Sequence, residues 1–140
     1  MEKIFYEGDF HPMEERLKTF KDWPFTENCA CTPEKLAEAG FIYCGSSKEP
    51  DLVRCYVCFK ELDGWEPEDD PWQEHVSHSN KCPFIKNNNP KEMTFKDFIS
   101  LEKTRMLNSA TRYFQESNSL WNQKVSAIEE LLGSQGKLQM

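Results

Sequence analysis

Four residues in the middle of the chain have the types and the spacing of metal ligands. Two cysteines are separated by two residues, a histidine follows after 16 more, and a third cysteine after another six: Cys55, Cys58, His75 and Cys82. A Cys-x2-Cys pair lets two thiolates bind one tetrahedral ion, and a Cys3His set is typical of structural zinc. Four protein ligands leave no position for an activated water, so the pattern predicts a closed, structural site. His78 is an alternative ligand, since it lies three residues beyond His75 on nearly the same helical face.

The other three cysteines, Cys29, Cys31 and Cys44, have no histidine or further cysteine pair beside them. We expect them to be small core residues or free thiols. Residues 1–18 contain no apolar block like that of a secretory signal, and no apolar stretch approaches the roughly 18 residues that span a bilayer. The expectation is a soluble cytosolic protein without membrane partners, in which cysteines favour metal ligation over disulfides.

The charge of the chain is acidic and unevenly distributed. Lys plus Arg number 17 against 24 Asp plus Glu, which gives −7 and leaves no general basic field for direct nucleic-acid binding. Residues 60–74 contain seven acids and one lysine, a local charge of −6. Such a segment can attract a cationic peptide or a free amino terminus, or it can be a solvated face. Trp65 favours the peptide interpretation, because an aromatic wall beside carboxylates suits a small residue bearing an ammonium.

Short elements must position these residues. A hydroxyl N-cap at Thr32, a proline at the next position and the stop at Gly40 predict one helix. Residues 41–44 and 52–56 are aromatic and β-branched runs separated by a turn-rich segment, which predicts paired strands. Asp70-Pro71 then begins a helix that carries Trp72, His75 and His78. Thr32-Pro33 also matches a proline-directed kinase site, although a plain helix cap explains it equally well.

Residues 91–132 contain neither glycine nor proline and repeat apolar side chains at heptad spacing. One continuous helix of this length would measure about 63 Å. A module of about 90 residues has a radius of gyration of only about 12 Å. Most of the apolar stripe therefore cannot be buried within the chain, and we expect partner helices to cover it. The stripe includes Ile99, Leu107, Phe114, Trp121 and Ile128.

The motifs along residues 16–84 closely resemble the baculoviral inhibitor-of-apoptosis repeat, or BIR, family. The matching positions are Arg16, Phe20, Trp23-Pro24, Ala39-Gly40-Phe41, Cys55, Cys58, Gly64-Trp65, Asp69-Asp70-Pro71, Glu74-His75 and Cys82-Pro83-Phe84. The resemblance assigns His75 as the ligand in preference to His78. One departure, Asn80 in place of a frequent proline, affects only a loop.

The resemblance implies an α+β fold: a zinc-stabilised BIR domain with short helices around a small antiparallel sheet, followed by one long helix. We expect an N-terminal segment over residues 1–15, the domain over 16–88, the helix over 91–132 and a flexible tail over 133–140. The resemblance further implies a groove that binds peptides whose first residue is alanine. In single-repeat members this groove binds the histone H-three tail, which begins Ala-Arg-Thr and is phosphorylated on that threonine.

By position in the motif, the resemblance gives each groove residue a role. Asp69 and Glu74 would hold the terminal amine, Leu62 and Trp65 would shape the alanine pocket, and Asp63 would face the arginine. The phosphate would meet a cation and a helix-borne donor, Lys60 and His78, although His78 could equally be an ordinary surface histidine.

For the long helix, the resemblance implies a bundle with borealin and the inner centromere protein, which carries Aurora B kinase. Phe95, Phe98 and Ile99, with Leu101, resemble the family's homodimer surface, and local packing on the domain is an equal alternative. Mitotic phosphorylation of Thr32 is implied as well.

Two functions follow as hypotheses. The first is a non-enzymatic adaptor for chromosome segregation and cytokinesis, found in cytoplasm and nucleus and, in mitosis, at centromeres, kinetochores, the spindle midzone and the midbody. The second is an inhibitor of apoptosis that binds caspases or their antagonists. An enzyme is not expected, because no nucleophile–base pair, phosphate loop or open metal site is visible in the sequence.

Overall fold

The computed structural model describes residues 9–87 and 92–138, with side chains up to Gly133. The chain divides into two units, residues 1–108 and 109–140. We call the first unit the module and the second the distal helix.

Within its described residues, 9–87 and 92–108, the module contains four short helices before the long one: α1 (Met13–Leu17), α2 (Pro33–Glu38), α3 (Pro71–His78) and α4 (Pro83–Lys86). Two of them begin as the sequence predicts. The Thr32 hydroxyl accepts a hydrogen bond from the Lys35 N–H at 3.3 Å, and the Asp70 carboxylate accepts one from the Gln73 N–H at 3.0 Å. In both cases a proline occupies the first turn, where no N–H is needed.

Three antiparallel strands form the sheet in the order β1 (Phe41–Tyr43), β2 (Val53–Cys55) and β3 (Glu61–Leu62). Phe41 is opposite Cys55, and Val53 is opposite Leu62. The predicted pairing of β1 with β2 is confirmed. The prediction did not include β3, α1 or α4, because elements of two to five residues are too short to show a hydrophobic period.

The core of the module is rich in aromatic residues, which pack edge to face. Trp23 lies between Phe20 and Trp65, with ring centroids 5.8 and 6.2 Å away, and its indole N–H donates to the Cys31 carbonyl at 2.9 Å. Cys31 is fully buried, as expected of a small core residue, whereas Cys29 and Cys44 are partly exposed thiols.

The long helix α5 (Phe95–Leu138) begins with a reciprocal cap. The Thr94 hydroxyl accepts from the Asp97 N–H at 3.1 Å, and the Asp97 carboxylate accepts from the Thr94 N–H at 3.0 Å. The predicted start at residue 91 lies outside the described residues.

The predicted end of the helix at residue 132 and the flexible tail from 133 need correction. The helix continues six residues further, to Leu138, and residues 139–140 lie outside the described part of the chain. A glycine inside a helix costs only about 1 kcal/mol, so Gly133 need not end it.

The first turns of α5 belong to the module. Leu101 is fully buried in its core, and the Asn108 side-chain amide donates to the Val57 carbonyl at 2.9 Å. In the distal helix the apolar stripe is exposed, with Phe114 at 70% and Trp121 at 65% of their full accessible surface. Among the helices the structure describes, none has the length and apolar character needed to cross a membrane.

Candidate functional site

Four side chains from separate elements converge on one point of the module. Cys55 ends β2, Cys58 lies in the turn that follows, His75 lies in α3, and Cys82 precedes α4. Their ligand atoms all lie within 4.8 Å of one another. The Sγ atoms of Cys55 and Cys82 are 3.9 Å apart, and the Cys58 Sγ is 3.6 Å from the His75 Nε2. This is the one cluster of metal-ligand type within residues 9–87 and 92–138.

The backbone around the cluster holds its members in place. The N–H groups of Val57 and Cys58 donate to the Cys55 Sγ at 3.4 and 3.5 Å, so the turn after β2 wraps around that sulfur. His75 is fully buried, and its Nδ1 lies 2.7 Å from the Ala39 carbonyl. That bond fixes the ring and leaves Nε2 facing the three sulfurs, the arrangement that metal-ligating histidines favour.

The choice between the two histidines is settled by their surroundings. His78 is exposed on α3, with its Nδ1 2.9 Å from the Glu74 carbonyl, and it is not a member of the cluster. His75 is therefore the fourth member, as the resemblance implied.

The electrostatics of the cluster favour a negative sulfur at Cys58. Hydrogen bonds from Cys55 and Cys82 lower the pKa of the Cys58 thiol far below its usual range, while burial raises the pKa of Cys55. Burial tends to lower the pKa of His75, but its hydrogen bonds to Cys58 and Cys82 outweigh this and raise it to about 9. The Cys58 thiolate and the protonated His75 ring lie side by side, so a cation can replace the proton between them.

A second group of predicted site residues follows β3. Lys60 and Asp63 are exposed, and Leu62 is half-buried. Trp65 is only 6% exposed, because its ring packs edge-on against Trp23 and Phe41. Most of the Trp65 indole is therefore core, and only its small exposed fraction can contribute to a pocket wall.

Two carboxylates at the far end of this segment are partly exposed. Asp69 accepts from the Glu66 N–H at 2.8 Å, which fixes one of its oxygens and leaves the other available. The Glu74 carboxylate lies 3.6 Å from the His78 Nδ1. We call the set Lys60, Leu62, Asp63, Trp65, Asp69, Glu74 and His78 the groove residues.

The family model of the BIR, or Inhibitor of Apoptosis, domain matches residues 16–86, a range that includes the whole cluster and all the groove residues. The chain belongs to the BIR family. Curated BIR proteins similar to it include Baculoviral IAP repeat-containing protein 5 of Cavia porcellus, 49% identical over 76% of this chain and 73% of the relative. The Rattus norvegicus protein of the same name is 42% identical over 84% of this chain and 89% of the relative.

Among solved structures, the chain is similar to the DIAP1 BIR1 domain bound to a Grim peptide. The sequences are 30% identical, the TM-score is 0.50, and the match covers 69% of this chain and 92% of the other. Baculoviral IAP repeat-containing protein 5 is also called survivin. The BIR resemblance drawn from the sequence motifs is therefore confirmed, and among BIR proteins the chain is similar to survivins.

The remaining predicted residues differ in their surroundings. Phe95 is 80% exposed and Ile99 is about half exposed, whereas Phe98 packs edge-on against His11 at 4.9 Å between ring centroids. Leu101 is buried in the module, so for that residue local packing is the correct alternative. The Thr32 side chain caps helix α2 by accepting a hydrogen bond from the Lys35 N–H.

Sequence reasoning missed the backbone groups that complete the metal cluster. The Ala39 carbonyl and the N–H groups of Val57 and Cys58 belong to every residue type, so their side chains give no signal. The Asp51 carboxylate, which accepts from the Trp65 N–H at 2.8 Å, also had no spacing pattern to reveal it.

Proposed function

We propose that this BIR protein is a zinc-stabilised, non-enzymatic adaptor. In this proposal its module reads the phosphorylated histone H-three tail, and its distal helix joins borealin and the inner centromere protein in a complex that carries Aurora B kinase. The established part is membership of the inhibitor-of-apoptosis family; the role in chromosome segregation is our inference.

Zinc suits the cluster by ligand chemistry and by size. Three sulfurs and one imidazole nitrogen are the donor set of structural zinc sites. Two thiolates bound to one zinc at about 2.3 Å in tetrahedral geometry lie about 3.8 Å apart, close to the 3.9 Å between Cys55 and Cys82. Zinc would supply a cross-link between β2, α3 and the start of α4.

The observation that carries the peptide proposal is the position of β3. It is one of the two outer strands of the three-stranded sheet, and the acidic segment continues from it into α3. An extended peptide can pair with such an outer strand, so that backbone hydrogen bonds supply affinity. Half-buried Leu62 would then face the first side chain, and Asp69 and Glu74 would face its amino terminus. The likeness to the DIAP1 BIR1 domain, solved with a Grim peptide, supports peptide binding by the module.

A phosphate on the peptide would need cations in this acidic setting. Lys60 and His78 are both exposed, one at the start of the acidic segment and the other at the end of α3. Charge-assisted hydrogen bonds to a phosphate are stronger than neutral ones, so these two residues could favour the phosphorylated tail. Asp63, also exposed, would face the arginine that precedes the threonine.

The distal helix supports the partner proposal by its unburied apolar area. Phe114, Trp121 and Ile128 recur at intervals of seven residues, and each is more than half exposed. Such a stripe is the pattern of helices that assemble with other helices. We assign borealin and the inner centromere protein to it by similarity to survivins.

Three further features belong to the same proposal. Exposed Phe95 and Ile99, with Phe98, form the surface of a homodimer, and Thr32 is a phosphorylation site for a proline-directed kinase. The adaptor would move between cytoplasm and nucleus and gather at centromeres, kinetochores, the spindle midzone and the midbody.

Calorimetric titration tests the reader function. The zinc-loaded protein is titrated with a peptide beginning Ala-Arg-Thr, with the same peptide phosphorylated on threonine, and with a phosphorylated copy whose amino terminus is acetylated. We expect the phosphorylated peptide to bind most tightly and acetylation to abolish binding. Glu74→Gln should weaken every peptide, while Glu68→Gln, which removes an exposed acid of the same segment, serves as the matched control.

The second candidate function, inhibition of apoptosis, rests on the likeness to a domain solved with a Grim peptide. It predicts binding of alanine-first peptides regardless of phosphate. Equal affinity for the two forms, unchanged by His78→Ala, would therefore contradict the histone-reader proposal and favour the apoptotic one.

A further inference from the structure

A cavity of about 380 Å³ lies in the module away from the groove residues, none of which lines it. Its walls come from α1 and the segment before it, from the end of α2, from the turn after β2, from α3, from α4 and the residue after it, and from the segment before α5. The volume falls within the range of small-ligand sites. The walls are mostly apolar, with Met13, Tyr56, Trp72, Phe84 and Met93 among the lining residues.

The cavity is also lined by the side chain of Arg16, which is only 4% exposed. Its Nε donates to the Ala37 carbonyl at 2.9 Å, and its Nη1 donates to the carbonyls of Phe10 and His11 at 2.8 and 2.7 Å. These acceptors are all neutral. The guanidinium carbon is also 4.9 Å from the centre of the Tyr56 ring.

No carboxylate within the described residues forms an ion pair with Arg16. Glu38 lines the same cavity, but its carboxylate pairs with Lys35 at 3.3 Å. The Arg16 Nη2 makes no hydrogen bond to any described group. It is also not sealed from solvent, so a ligand in the cavity can reach it. Because buried charges are normally paired, an unpaired guanidinium at a cavity wall favours an anion there.

We propose that this cavity binds a small carboxylate with an apolar body. The carboxylate pairs with the Arg16 guanidinium through Nη2, and the apolar body packs against Trp72, Phe84 and Met93. An inorganic anion would not use these apolar walls, and an uncharged apolar molecule would leave the guanidinium unpaired. The site shares no residue with the peptide groove or with the metal cluster, so it can be tested whether or not the histone-reader proposal holds.

The test compares octanoate with octanamide, which has the same chain and no charge. Each is titrated into the isotope-labelled, zinc-loaded full chain while the indole N–H signals are followed by NMR. Octanoate should shift the Trp72 signal saturably and bind about tenfold or more tightly than octanamide, because a hydrogen bond to a charged group is stronger than one to a neutral group. The Trp121 signal on the distal helix serves as the internal control and should not move.

Variants at the cavity avoid Arg16, whose bonds to three carbonyls make its replacement disruptive. Asn87 lines the cavity and is partly exposed, so Asn87→Asp adds a negative charge there with little change in size. The change also removes the hydrogen bond from the Asn87 amide to the Pro83 carbonyl, whose loss should affect octanoate and octanamide alike. We expect Asn87→Asp to weaken octanoate binding several-fold more than octanamide binding. Asn80→Asp adds the same charge at an exposed position outside the cavity and should change neither. Equal binding of octanoate and octanamide, no saturable shift at Trp72, or an Asn87→Asp variant that binds octanoate normally would each overturn the proposal.

Discussion

The module and the distal helix contain similar side chains in opposite surroundings. Leu101 lies in the first part of α5 and is fully buried in the module, whereas in the distal helix Leu120 is 59% exposed and Trp121 is 65% exposed. Both parts of α5 show the same heptad-spaced apolar pattern. An amphipathic stripe therefore shows only that one face of a helix is to be buried. The length of the helix relative to the module is what indicated that a partner protein must bury it.

The two regions also differ in what stabilises them. In the module, a cluster of metal-ligand type brings together side chains from three elements that are each too short to fold alone. In the distal helix, the described contacts are local, such as the ion pair from Arg112 to Glu116 at 3.0 Å. An exposed pair of this kind contributes about 0.3–0.5 kcal/mol. Removing a metal ligand from the module should therefore change the free energy of unfolding far more than replacing an exposed stripe residue of the distal helix.

The largest effect is expected from Cys82→Ala. Structural zinc contributes on the order of 10 kcal/mol of apparent binding energy, comparable to the whole stability of a domain. The variant should lose its zinc and most of the folded structure of its module. Zinc stoichiometry and thermal unfolding measure this directly.

Cys29→Ser is the matched control for that variant. Cys29 is a partly exposed thiol outside the cluster, so its replacement should leave the zinc content and the unfolding transition nearly unchanged. A Cys82→Ala protein that kept one zinc per chain and a native transition would contradict the ligand set.

A smaller effect is expected from Leu101→Ala. Truncation of a buried leucine destabilises a domain by about 2–5 kcal/mol, because the apolar contacts are lost and a cavity remains. Leu120→Ala, an identical change in the exposed distal helix, should alter the free energy of unfolding by less than about 0.5 kcal/mol. Chemical denaturation of both variants gives the difference. Similar losses in the two would mean that the boundary between module and distal helix is misplaced.

The sequence predicted the parts of the fold whose signals are side chains at fixed spacing. The three cysteines of the cluster, the capped helices α2 and α3, the pairing of β1 with β2 and a long helix were predicted from residue types and spacing, whereas the choice of His75 over His78 came from the family resemblance. The spacing of Cys55 and Cys58, for example, is a direct consequence of two sulfurs binding one ion.

The rest depends on backbone groups or on tertiary context. Strand β3 has two residues and no detectable period, and the Ala39 carbonyl that orients His75 could belong to any residue. Trp65 was expected as a groove wall, but packing against Trp23 and Phe41 places most of it in the core. The helix continued through Gly133 because a single glycine is a weak stop unless the chain also needs to turn.

A still smaller and pH-dependent effect is expected at the start of α5. Hydrogen bonds from the Thr94 hydroxyl and N–H lower the pKa of Asp97 below its ordinary value of 3.8. Its ionised form therefore stabilises the cap above the ordinary value, and this contribution is lost as the pH falls through the lowered pKa. Asp97→Asn should speed amide hydrogen exchange in the first turn at neutral pH, and the difference from the parent should vanish in strong acid. A difference that persisted there would show that the carboxylate charge is not the cause.

The smallest change in stability, with the largest change in binding, is expected from Trp121→Glu. The side chain is 65% exposed and lies outside the module, so its replacement should leave the thermal transition and zinc content of the module unaltered. A carboxylate in the middle of the apolar stripe should, however, prevent helical partners from packing, because a buried unpaired charge is strongly unfavourable. Co-purification with borealin and the inner centromere protein measures the loss, and Gln123→Glu, which places the same charge on the polar face, is the control. If Trp121→Glu retained both partners, the stripe would not be their binding surface; if it unfolded the module, the exposure that separates the two regions would not hold in solution.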